Sequence, residues 1–364
     1  LESKSGITML FPVPVAQFFR TQLKDSNRIG LRPFLARVWR RCYSIPSVEV
    51  FDSKVKKIQR NTANLDPVKS RGYDYLRVEV ARRLVDRLED VMKEFPLALD
   101  LGCHSGQIYQ QLVKEKALSG EGGVGGIKDL VMADCSEKAL LRDAEEILEG
   151  DSTLVQTHPI LVDSEFLPFN DKCFDLVISN LHLHWINDLP NCLQEINRVL
   201  KPDGVFLGSM MGGNTLQELR TCLLMAEQER EGGMSVHTSP TAHLADCGNL
   251  LQAARFSLPT IDTDTFVIEY DDAFELMEHL QGMGEGNATI NRRQHVPRDT
   301  FLAAASLYQE LYGTNEGKIP ATFQVVYMIG WAPHESQPQP KRRGSAQKSM
   351  KVDLHHHKGG GKSL

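Results

Sequence analysis

Three aspartates stand in or at the ends of short apolar runs. Asp100 lies in Leu97-Ala98-Leu99-Asp100-Leu101, Asp134 closes Leu130-Val131-Met132-Ala133-Asp134, and Asp163 closes Pro159-Ile160-Leu161-Val162-Asp163. The first run leads straight into Gly102-Cys103-His104-Ser105-Gly106. Glycines after a strand lack a Cβ and let the backbone approach a ligand closely. A carboxylate at the end of the second strand can accept both hydroxyl donors of a ribose. Asp163 could face an adenine amino group, and Asp100 lies close to where a cationic amino-acid portion would sit. Three acids suit a ligand with positive charge, ribose and adenine, and they repel a pyrophosphate. The spacing Gly102-x-x-x-Gly106 is not the nicotinamide fingerprint G-x-G-x-x-G, and no G-x-x-x-x-G-K-[ST] occurs. The set therefore predicts S-adenosylmethionine, with Asp100, Gly102, Cys103, Gly106, Asp134, Asp163 and Asn180 as its contacts.

These residues need a parallel sheet to bring them together. Residues 78–92 carry a helical apolar stripe, 97–101 read as a strand, and 107–116 read as a helix. Strands follow at 130–134, 159–163, 174–180 and 205–209, with helices at 137–148 and 191–200 between them. Apolar strands that alternate with helices imply a mostly parallel sheet covered on both faces. Beyond it come helices at 215–230 and 241–254, then a strand at 263–270 and a last strand at 322–330. The expected fold class is thus α/β and Rossmann-like, with late antiparallel edge strands and a helical insertion at about 271–320.

The two ends differ from this middle. Residues 28–48 hold five arginines and no acid, with apolar residues interleaved at helical spacing, as organelle-import peptides require. Residues 1–48 are therefore expected to be an organelle transit peptide, with a disordered basic arm as the alternative, 49–335 the folded domain, and 336–364 a disordered basic tail. The tail's His355-His356-His357 is set aside as a metal tract. The formal net charge of -6 argues against a nucleic-acid binder, and no apolar run is long enough to span a membrane. The seven cysteines form no C-x-x-C pair, so neither a zinc ribbon nor a disulfide framework is indicated.

The run 97–106 resembles motif I of the class I methyltransferases, D-x-G-x-G-x-G, with His104 in place of the second glycine. Asp163-Ser164-Glu165-Phe166-Leu167-Pro168-Phe169 and Leu200-Lys201-Pro202-Asp203-Gly204 are similar to further segments of that superfamily. A wider set extends over residues 50–340: Tyr73-Asp74-Tyr75-Leu76, Leu183-His184-Trp185, Asn187-Asp188-Leu189-Pro190, Leu280-Gln281-Gly282-Met283-Gly284-Glu285 and Tyr327-Met328-Ile329-Gly330-Trp331. Together these resemble the mitochondrial complex I assembly factor 5 family. The resemblance implies a methyltransferase fold on the matrix side of the inner membrane, where peripheral association is allowed. It also implies hydroxylation of an arginine on a complex I iron–sulfur subunit, in company with other assembly factors. The rival readings are a S-adenosylmethionine-dependent methyltransferase acting on a protein or small molecule, and a non-catalytic assembly scaffold.

Hydroxylation requires something that activates oxygen, and the common non-haem iron centre uses two histidines and a carboxylate. The usual His-x-Asp/Glu start occurs nowhere among the twelve histidines. His182-Leu183-His184 lacks an evident carboxylate partner, so no metal site is predicted, and His104 reads as a tolerated substitution. His184 and Trp185 are expected to line the substrate entrance. Glu227, Glu229 and Glu231 surround Arg230 at a helix end; Glu227 and Glu231 could pair with a substrate guanidinium, and a solvated helix face is the plainer alternative.

Overall fold

Asp52 opens the first helix by accepting the backbone N–H groups of Lys54 and Val55, and α1 (Ser53–Ala63) follows. Its buried residues are Lys56 and Arg60, so its inward stripe is cationic and no hydrophobic period marks it. Asp66 caps α2 (Pro67–Arg71) in the same way, with proline in the first turn. Neither helix was expected from the sequence. α3 (Tyr75–Glu89) buries Leu76, Val80, Ala81, Leu84, Val85 and Leu88, the regular stripe that predicts a helix there. The computed structural model describes residues 49–119, 124–149, 155–338 and 344. The import-like segment 1–48, part of the glycine-rich insertion and most of the basic tail lie outside the described residues. One compact unit runs to Pro333, and a short second unit spans His334–Leu364.

Seven strands form one sheet: β1 (Leu97–Leu101), β2 (Asp129–Asp134), β3 (Gln156–Leu161), β4 (Phe174–Ser179), β5 (Leu200–Met211), β6 (Ser257–Tyr270) and β7 (Ile319–Trp331). Their order is β3-β2-β1-β4-β5-β7-β6. β1 to β5 pair in parallel, and β7 runs antiparallel between β5 and β6. The expected late antiparallel strands are therefore present. The strand order reverses beside β1, between β1 and β4, which is where an open α/β sheet leaves a crevice for ligands.

Alternate residues of the central strands feed two cores. Ala98, Leu130, Met132, Leu176 and Ile178 point to one, and Leu99, Leu101, Val131, Ala133 and Val177 to the other. The first core is closed by α3, α4 (Gln107–Ser119), α8 (Gln217–Glu231), α10 (Ala273–Gly282) and α11 (Arg298–Tyr312). The second is closed by α7 (Leu189–Val199) and α9 (Leu244–Ala253). The helix expected over 137–148 divides into α5 (Glu137–Arg142) and α6 (Ala144–Glu149). Asp143 sits at the break, its carboxylate taken by Arg71 and Arg142. β3 ends at Leu161, so Asp163 lies beyond the strand rather than closing it. Among the described residues no helix is long and apolar enough to cross a membrane.

Candidate functional site

The turn after β1 is built as its glycines require. Gly102 and Gly106 have φ of 73° and 87°, in the left-handed region that L side chains avoid. Gly102 N–H donates to the Ala133 carbonyl at 2.7 Å, tying the turn to β2. His104 also lies in the left-handed region, at φ 50°. Its N–H donates to Asp134 Oδ2 at 3.1 Å, while Ser136 N–H donates to Asp134 Oδ1 at 2.7 Å. The open face of Gly102 is filled by His182: a Cβ there would lie 2.0 Å from the His182 Cγ.

Asp100 and Asp134 are both fully buried. Among the described residues neither oxygen of Asp100 has a hydrogen-bond partner, and burial, then the charge of Asp134, push its carboxyl well above the usual range. Two of the remaining expected contacts serve the fold. Asn180 Nδ2 donates to the Arg77 carbonyl at 3.0 Å, clasping α3 to the end of β4. Asp163 is exposed and accepts the Glu165 N–H at 3.1 Å. Cys103 is buried, its thiol pushed up chiefly by that burial.

Helix α1 lays its cations over this turn. Arg60 is 1% exposed; its Nη1 lies 2.9 Å from His182 Nδ1 and 3.9 Å from Asp134 Oδ1. Its Nε and Nη2 have no partner among the described residues. Lys56 Nζ donates to the carbonyls of Gly284 and Gly286 and sits 3.0 Å above the Trp185 ring. Burial lowers its pKa well below the ordinary lysine value. The counter-charge is Glu285, which accepts from Arg77 Nη2 at 2.7 Å and Trp185 Nε1 at 2.6 Å, with His184 Nε2 at 3.2 Å. Burial works against its ionisation, yet His184, Lys56 and Arg77 hold its pKa well below the usual carboxylate range.

His182 and His184 do not act as a pair. His184 turns to Glu285, while His182 meets His104 and Asp134, one ligand-type atom from each of the three within 4.8 Å of the others. Burial, followed for His182 by the charge of Arg60 and for His104 by those of Arg77 and Arg60, keeps both imidazoles well below the ordinary histidine pKa. The sequence offered no sign of this cluster, because its members come from the ends of β1, β2 and β4.

A cavity of ≈ 300 Å³ has His184 and Trp185 among its lining residues. Leu216, Leu219, Leu223, Phe301 and Phe323 give it apolar walls, and Glu285 is the carboxylate among its described lining residues. Glu227 and Glu231 stand behind it. They grip Arg293, itself a lining residue, and Glu227 also accepts from Ser235 and faces His237. Burial opposes the charge on Glu227, and its Ser235 and His237 hydrogen bonds hold its pKa at about 2. The pair thus does hold a guanidinium, and that guanidinium belongs to this chain.

The strand order, the glycine turn after β1 and the buried acids at the ends of β1 and β2 define a methyltransferase-type Rossmann-like domain. Residues 99–208 match the family described as a methyltransferase domain. The chain is 46% identical over 322 residues to the arginine-hydroxylase NDUFAF5, mitochondrial, of Homo sapiens, covering 88% of each chain. It is 45% identical over 316 residues to the protein of that name in Danio rerio, covering 87% of this chain and 93% of the relative. The chain belongs to this arginine-hydroxylase family. A solved structure, phosphoethanolamine N-methyltransferase 2 of Haemonchus contortus with S-adenosyl-L-methionine, is similar at 16% identity and a TM-score of 0.42, over 70% of this chain and 52% of that one.

Proposed function

We propose that this chain is a mitochondrial enzyme that hydroxylates an arginine of a complex I iron–sulfur subunit during assembly, at the matrix face of the inner membrane. The observation that carries this reading is the 46% identity to the human arginine-hydroxylase over 88% of both chains. The cavity supports it. Its leucines and phenylalanines suit the methylene stem of an arginine, and Glu227 with Glu231 can grip a guanidinium in the two-pronged way such groups favour. Arg293 occupies those carboxylates in the absence of substrate, and its side chain is 32% exposed, within reach of exchange. His184 and Trp185 are positioning residues on the wall, fixed by Glu285.

This reading sets the behaviour of two variants. Arg293→Ala frees the carboxylates, so an arginine peptide from the subunit binds several-fold tighter; Glu227→Gln with Glu231→Gln binds it several-fold weaker. Titration of the full chain with that peptide reads both. Equal weakening in the two variants would mean that the cluster merely supports the cavity wall.

S-adenosylmethionine fits this pocket at its ends and not between them. Asp100 offers two unpartnered oxygens to a cation, and Asp134 has lone pairs left for ribose hydroxyls. His182 fills the open face of Gly102, and Arg60 lies over Asp134. Methyl transfer is the second reading, and the orphaned Asp100 is the observation that favours it. Incubation with labelled cofactor and matrix extract separates the two: an added oxygen on arginine supports hydroxylation, and a transferred labelled methyl supports the second reading.

A further inference from the structure

We propose that His104, Asp134 and His182 form a binding site for a divalent first-row transition-metal ion, with iron(II) as its natural occupant. The choice of iron rests on the hydroxylase reading; the binding of a metal does not. Three ligand-type atoms lie mutually within 4.8 Å, on side chains that are 4%, 0% and 3% exposed. Two imidazoles and one carboxylate are the donor set of mononuclear non-haem iron centres that leave positions open for reactants.

Each ligand is held in the state coordination needs. His104 Nε2 is buried and has no partner among the described residues. Its other ring nitrogen hydrogen-bonds the Leu181 backbone, the outer contact that typically orients a metal-bound histidine. This imidazole stands on a residue with φ of 50°, a left-handed backbone position that disfavours a non-glycine residue. For His182, the tautomer follows from its neighbours. A guanidinium can only donate, so His182 Nδ1 accepts from Arg60 Nη1 at 2.9 Å, and Nε2–H donates to Ser164 Oγ at 2.6 Å. The Nδ1 lone pair is thereby aimed at a cation. Asp134 accepts one backbone N–H on each oxygen and keeps lone pairs on both.

Arg60 marks where the cation goes. Its Nη1 touches one ligand and lies 3.9 Å from a second, while its Nε and Nη2 are buried without partners. A positive charge already sits in the cluster, poorly satisfied. A metal ion would replace it with direct bonds to three donors, and Asp100, with two unpartnered oxygens, adds a further buried carboxylate to the same pocket. Because Asp134 serves both, a metal ion and S-adenosylmethionine should exclude one another here.

The test is an anaerobic titration of the full chain with cobalt(II) as a spectroscopic probe, repeated with iron(II) by equilibrium dialysis. His104→Gly is the first variant, since glycine relieves the left-handed backbone and keeps the turn folded; His182→Asn is the second. The expected result is a cobalt absorption band from the wild type. Affinity should fall by roughly a hundredfold in either variant and rise in Arg60→Met, which removes the competing charge. The histidines at 355–357 give a background common to all four proteins. Wild-type cobalt affinity and spectrum in His104→Gly would overturn the proposal, as would no rise in Arg60→Met. Arginine hydroxylation by a protein that binds neither ion would overturn it while leaving the hydroxylase reading intact; metal binding without hydroxylation would do the reverse.

Discussion

Asp100 is a fully buried carboxyl group whose two oxygens meet no hydrogen-bond donor among the described residues. Its proton is held in the folded state to a higher pH than in the unfolded chain. The folded state therefore binds more protons above the ordinary carboxylate range, and stability falls as pH rises through it. Asp100→Asn removes that loss. It is expected to raise the unfolding free energy at pH 7 by about 1–2 kcal/mol, with the gap closing near pH 4. Denaturant titrations at the two pH values check this, and a less stable variant at pH 7 would contradict it. At this scale the sequence shows the glycines and the aspartates, because they lie within one turn or at the ends of obvious strands. It does not show that His104 faces His182, 78 positions away. Nor does it show Arg60, whose charge makes it look like solvent-facing surface. The sequence marks Glu227 and Glu231 as carboxylates on a helix end that could meet a guanidinium; that they pair with Arg293 of this chain was not legible, because Arg293 is brought in by the late insertion.

The elements hold these residues in place by a few close contacts. Gly102 is the tightest. Its φ of 73° and the His182 ring 2.0 Å from a would-be Cβ leave no room for a side chain. Gly102→Ala is expected to cost about 2–4 kcal/mol, read as a lower urea midpoint with an unchanged slope. An unchanged midpoint would show that His182 can leave its seat freely. The strands were read from their apolar runs, and the antiparallel pair β6 and β7 from its late position. α1 was missed for a physical reason. Hydrophobic periodicity finds helices that bury carbon, and α1 buries Lys56 and Arg60 against backbone carbonyls, Glu285 and an indole ring. Its start was nonetheless marked by Asp52, whose side chain caps the first turn.

At the scale of the whole molecule, two halves share one wall. The glycine turn and α1 enclose the charged pocket, and the helices inserted between β5 and β7 enclose the apolar cavity. The segment from His182 to Trp185 joins them, with His182 facing the first and His184 the second. A methyltransferase-type fold thus carries a buried cluster of His104, Asp134 and His182 beside a cavity with apolar walls. The most direct measurement is of where the new oxygen comes from. The full chain is incubated with the complex I iron–sulfur subunit and matrix extract under isotopically labelled dioxygen, and the subunit's arginine peptides are weighed by mass spectrometry. One labelled oxygen on an arginine is expected, lost when Glu285→Gln removes the charge that fixes the wall. A methyl group on that arginine, or an unmodified subunit, would contradict it.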